Sequence, residues 1–180
     1  MANEGPSRIR DIPEENLSPA QKAAIAAVVG GRGRVPGPCR IWLHSPVMMQ
    51  RLERLGTFLV NESSLKPREQ ELAILCIAAH WHGDYVFTVH ARAARKLGIG
   101  DAAIDDIRNG RLPRLEDPRE AAVVEIALTA SDRDPASDAV FARAIAALGE
   151  ESLADLLVYL GYYSAVAMAM KLHRVPIPQG

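Results

Sequence analysis

At 180 residues the chain is long enough for one domain with a real core. A formal net charge of −1 excludes a global field that would steer it to nucleic acid or to an anionic membrane. Hydrophobic residues make up 48% of the chain, mostly Ala, Leu, Val and Ile, and aromatics only 5%, a balance that favours helices over strands.

In chain order, residues 1–16 are polar, carry Pro6 and Pro13, and read as an extended arm. The segment MANEGPSRIRDIP has no apolar core of the kind a signal peptide needs. The first helix starts at Ser18-Pro19, an N-cap followed by proline at the first helical position, and is expected to stop at Gly30-Gly31. GGRGRVPGPC then reads as a loop. It lacks the Lys-Ser/Thr end of a phosphate loop and follows a helix rather than a strand. Ser45-Pro46 opens a second helix, on which Val47, Met48, Leu52, Leu55, Phe58 and Leu59 follow helical spacing.

Lys66-Pro67 opens the central helix, expected over 67–81 and apolar nearly all round, so buried. Gly83 breaks it, and Asp84 is placed as the N-cap of a helix that runs to Leu97 and ends at Gly98. Shorter helices follow from Asp101 to Asn109-Gly110 and from Asp117-Pro118. Another starts near Ser137, and a long one covers Glu150 to Lys171. RVPIPQG cannot continue it. No segment reads as a strand, and no apolar run reads as long enough to span a bilayer. Cys39 and Cys76 form neither a CxxC nor a metal-type spacing, which points to a reduced, cytoplasmic compartment.

Chemistry concentrates around the break at Gly83. If helices 67–81 and 84–97 fold back on each other there, Glu71 and His90 are offset by about five residues, or ~7 Å of axial rise, which a glutamate side chain can bridge directly or through water. Such a pair suits proton transfer near neutral pH. The same residues also fit a solvent-facing glutamate at a helix start and a histidine donating to a carbonyl. His80 and His82 point roughly 200° apart on one helix. With Asp84 and His90 they make an HxHxD…H set, but the spacing matches no standard zinc pattern. His82 and Tyr85 are candidates for a pocket wall, and Arg68 either anchors an anionic substrate or pairs with a surface carboxylate. Cys76, inside the apolar stripe, reads as a small hydrophobe. Tyr159, Tyr162 and Tyr163 read as packing residues that could also aim hydroxyls into a site.

Arg68-Glu69-Gln70-Glu71-Leu72, a small-residue helix, a break, and His90 followed by Ala91, Ala94 and Gly98 together resemble the carboxymuconolactone decarboxylase family, which includes the alkylhydroperoxidase D proteins. Gly161-Tyr162-Tyr163 and Val175-Pro176-Ile177-Pro178 resemble the end of its long-form members. The resemblance implies a single all-α domain over 1–180, a helical bundle of the alkylhydroperoxidase D-like type with its core motif at about 45–125 and its central helical hairpin broken near Gly83. It implies homotrimers or homohexamers and a cofactor-free decarboxylase that uses no metal. The substrate would be a small carboxylated lactone or a related ring-cleavage product, with no nucleic-acid or membrane partner.

In that resemblance Glu71 and His90 match the family's glutamate and histidine as the catalytic pair, and His82, Asp84, Tyr85 and Arg68 are substrate-binding candidates. The two cysteines of the peroxidase branch fall on Gly83 and Val86, which cannot form the redox disulfide, so thiol peroxidase chemistry is not expected. Two alternatives stay open: a metal-dependent enzyme built on His80, His82, Asp84 and His90, and a binding protein that keeps the fold without the chemistry.

Overall fold

The computed structural model describes residues 5–32, 35–132 and 134–178, with the side chains of 31 and 32 left aside. The chain is all-α. A 3-10 turn at Glu14–Asn16 precedes α1 (Pro19–Arg32), α2 (Cys39–Trp42), α3 (Pro46–Asn61) and α4 (Pro67–His80). Then come α5 (Asp84–Lys96), α6 (Asp101–Arg108), α7 (Pro118–Ala130) and α8 (Asp138–Leu172). The described residues contain no strand.

Local chemistry explains most of the boundaries. Ser18 and Gln21 form a reciprocal cap at α1, each side chain accepting the other's backbone N–H. The Asp117 carboxylate accepts the Arg119 N–H at 2.8 Å to start α7, and Ser137 caps α8 through the Val140 N–H. Three expectations shift. Gly30 and Gly31 do not stop α1, which continues to Arg32; residues 33 and 34 of the expected loop lie outside the described residues. Ser45 occupies the N-cap of α3 without a side-chain bond, so Pro46 alone marks that start. Asp84 is the first residue of α5, and Gly83 is its N-cap.

Helix α4 is the axis of the bundle. Leu72 to Ala78 are buried without interruption, because α5, α6, α7 and α8 cover it on successive sides. Its C-terminal turn closes with Gly83 N–H on Ala78 O at 2.8 Å and His82 N–H on Ala79 O at 3.0 Å, which places His82 in the left-handed region at φ 49°. Gly83 then passes against α8, where a Cβ would meet Ala167 Cβ at 3.2 Å. The α4–α5 hairpin turns that closely because position 83 has no side chain.

Two ion pairs bind α4 to α7 through neighbouring residues. Arg68 holds Glu120 with Nε–Oε1 at 2.5 Å and Nη2–Oε2 at 3.0 Å. Arg119 holds Glu69 with Nε–Oε1 at 2.8 Å, and reaches Ser152 on α8. Glu69 is fully buried, and its Oε2 also accepts the Lys66 N–H at 2.9 Å.

Helix α8 is interrupted at Gly149, at φ 76° and ψ 171°, which agrees with the expectation of two successive helices. That backbone conformation is open to glycine and strained for any L-residue. No neighbouring atom lies within 4 Å of a Cβ placed there. Gly149→Ala is therefore expected to destabilise by about 1–3 kcal/mol through backbone strain alone, read as a lowered thermal midpoint. By length and composition α8 could also cross a bilayer, contrary to the expectation that no run is long enough, and 44% of its most apolar 18-residue window is buried inside the chain.

The arm over residues 5–13 runs extended beside the end of α8 and α2, and residues 1–4 lie outside the described residues. Arg8 N–H donates to His173 O at 2.8 Å, His44 Nε2 lies 2.9 Å from Arg10 O, and Arg40 Nε donates to Asp11 at 2.8 Å. The hydrogen bond from Arg40, reinforced by its charge, holds the Asp11 carboxyl below the usual carboxylate value. A lowered folded-state pKa contributes stability that is present above the unfolded value and lost as pH falls through the folded one. Amide exchange of residues 5–13 is therefore expected to accelerate as pH drops below 3.8, after correction for the intrinsic exchange rate. An arm protected equally at pH 2.5 and pH 6 would show that Asp11 does not hold it.

Candidate active site

Glu71 sits on the first turns of α4 and His90 in the middle of α5, and the hairpin at Gly83 brings them face to face. His90 Nδ1 lies 2.9 Å from Glu71 Oε2, with side chains 20% and 16% exposed. They contribute to the wall of a cavity of about 560 Å³ bounded by α2, α3, α4, α5 and α8. Tyr85 lines the same cavity, its hydroxyl 3.0 Å from where a Cβ on Gly37 would stand, so the Gly37 backbone leaves the space that this phenol occupies.

Three tyrosines from α8 close the far side. Tyr163 stands edge-on to the His90 ring at 5.4 Å between centroids, Tyr159 stacks on Tyr163 at 5.0 Å, and Tyr162 meets Trp42 edge-on at 6.1 Å. Burial, and then the neighbouring Tyr163, push the Tyr159 phenol far above its ordinary value, so it remains an O–H donor at any working pH. The α8 tyrosines, read from sequence first as packing residues, thus also line the site.

The other candidates lie elsewhere. Arg68 faces α7 and the end of α5, with its guanidinium divided between Glu120 and Leu97 O at 2.8 Å. Asp84 stands 3.6 Å from Arg108, and His82 opens into a second cavity on the opposite face of α4 together with His80. His90 lines the first cavity, His80 and His82 line the second, and Asp84 is turned to Arg108, so the four side chains do not converge. No group of three or more potential ligands of a metal ion is assembled among the described residues.

Two cavity residues escaped the sequence reading. Glu53 is buried, lines the cavity, and accepts from the Thr57 hydroxyl at 3.0 Å. The apolar spacing on α3 pointed to Val47, Met48 and Phe58, yet these are exposed, and the buried stripe is Met49, Glu53, Gly56 and Leu59. The signal was present: a glutamate four residues after Met49 and three before a glycine, on one helical face. Cys39, expected in an open loop, is buried at the start of α2 and also lines the cavity. Cys76 lies on the far side of α4, where burial pushes its thiol up to about 12 and leaves it unreactive at neutral pH.

The family profile described as "Carboxymuconolactone decarboxylase family" matches residues 46–129, the stretch that supplies Glu53, Glu71, Tyr85 and His90. The match is confined to these residues, a little under half of the chain. No curated protein matches the chain. Among solved structures, the debrominase Bmp8 in its apo form is similar, with a TM-score of 0.72 over 94% of this chain and 91% of that one. At 9% identity that likeness concerns the fold, which is the alkylhydroperoxidase D-like bundle.

Proposed function

We propose that this chain, which matches the carboxymuconolactone decarboxylase family over residues 46–129, is a cofactor-free carboxy-lyase, acting on a small carboxylated ring compound held in the 560 Å³ cavity. The observation that carries the reading is the 2.9 Å contact between Glu71 and His90 Nδ1 in the cavity wall. A carboxylate on Nδ1 fixes the ring's orientation and provides a counter-charge when Nε2 carries a proton. Among the described residues Nε2 has no hydrogen-bond partner, so it is the ring atom available to a substrate.

In the reaction, the bond between the substrate's ring carbon and its carboxylate breaks. The electron pair moves into the conjugated lactone carbonyl as an enolate, and CO2 leaves. His90 Nε2–H then protonates the carbon, and solvent restores the proton to the imidazole. The O–H group of Tyr85, in the cavity lining, is the candidate donor to the enolate oxygen, while the Tyr159 O–H is engaged with Tyr163. Replacement of the family's peroxidase cysteines by Gly83 and Val86 supports lyase rather than thiol chemistry.

The test is CO2 release from a panel of small unsaturated carboxylated lactones and keto acids, with and without chelator, followed by mass spectrometry of the product. Release that survives chelator is expected. Release that requires an added metal ion, or no release across the panel, would overturn the reading.

A further inference from the structure

A second cavity, of about 550 Å³, lies on the opposite face of α4 from the Glu71–His90 site. Its floor is apolar, with Ile107 and Leu128 among its residues, while His80, His82 and Arg108 stand on its rim with a single carboxylate, Asp132. The Arg108 guanidinium lies 4.0 Å over the Phe87 ring, which fixes its plane, and its contact with Asp84 at 3.6 Å is longer than a hydrogen bond. Among the described residues, the side chains of His80, His82 and Arg108 make no hydrogen bond. The two imidazoles are free for a ligand, and Arg108 shares its guanidinium between Asp84 and the cavity.

The backbone adds an independent observation. His82 occupies the left-handed position that ends α4, at φ 49°, where glycine is the unstrained choice. Arg174, after the end of α8, has the same φ, so the conformation belongs to the helix ending, and its consequence at His82 is the direction it gives the side chain. That direction carries the imidazole to the rim of the cavity.

We propose that this cavity is a second binding site, distinct from the Glu71–His90 cavity, for a small organic anion with an apolar body and a carboxylate. The apolar body rests on the floor, and the carboxylate takes hydrogen bonds from Arg108 and the two imidazoles. Benzoate is a suitable probe, titrated into the full chain and followed by calorimetry and by amide NMR shifts.

The expected result is saturable binding that perturbs amides of 107–110 and 127–131. His82→Gly and Arg108→Leu should each weaken it at least tenfold. The His82→Gly variant should keep or raise the thermal midpoint, since glycine relaxes the left-handed residue, so loss of binding there is not loss of fold. Parent-like affinity in both variants, no binding to the parent, shifts confined to 36–39 and 71–74, or equal affinity for neutral benzamide would each overturn the proposal. None of these outcomes depends on turnover at His90.

Discussion

Arg119→Leu is expected to destabilise the fold by about 3–5 kcal/mol, the range for leaving one buried charge without its partner. Arg119 is the only guanidinium on Glu69 among the described residues, and the Glu69 side chain has no exposure to water. Its remaining contacts are the Lys66 N–H at 2.9 Å and the Lys66 ammonium at 3.9 Å, the latter on a side chain 60% exposed. The variant also loses the bonds from Arg119 to Ser152 and to the carbonyls of Ala147 and Leu148, so the seam between α7 and α8 opens as well. For a chain of this size the loss corresponds to a thermal midpoint lower by roughly 6–20 °C. The double variant Glu69→Met/Arg119→Leu should recover much of it, because a buried pair exchanged for apolar side chains is often neutral. A single variant within 1 kcal/mol of the parent in urea unfolding would refute the role assigned to this pair.

His90→Ala is expected to lower kcat by at least 100-fold, and Glu71→Gln by at least tenfold, in the assay that detects CO2 release. The larger effect belongs to His90 because it transfers the proton itself. Glu71 acts through the imidazole, and glutamine can still accept the Nδ1–H bond while withdrawing the counter-charge. Both side chains are partly open to the cavity, so their replacement should leave helix content and thermal midpoint near the parent values. Imidazole added to His90→Ala should restore part of the rate, an effect that a purely structural histidine would not show. Full activity in both variants would remove the pair from the mechanism.

The helices were legible because their punctuation is local. Ser18-Pro19, Asp117-Pro118 and Ser137 announce helix starts through bonds made within three residues. Gly98 and Gly149 mark ends or breaks through positive φ. The proximity of Glu71 and His90 was also within reach, since one break and a fixed rise per residue nearly determine it.

Which way a helix faces was harder to read. Helix α3 exposes Val47 and Phe58 and buries Glu53, a choice set by contacts with α1, α2 and α8 that no window of α3 contains. Arg68 illustrates the same limit. A cation three residues before the key glutamate reads naturally as a substrate anchor, and only the position of Glu120, 52 residues on, commits it to α7. His82 was placed near the site by its nearness in sequence to Gly83, but the left-handed turn directs it to the other face of α4.

The crossed pairs between α4 and α7 have a consequence for specificity as well as strength. Each helix offers the same two-letter word, arginine then glutamate, at 68–69 and at 119–120. In the native docking the words are read in opposite directions, 68 with 120 and 69 with 119, and every match is between unlike charges. Docked so that 68 met 119 and 69 met 120, the same four residues would set arginine against arginine and glutamate against glutamate in a seam with little water. The dipeptides work as a lock with one admissible key, rejecting a misaligned docking of α7 on α4 during folding at the place where α4 enters the core.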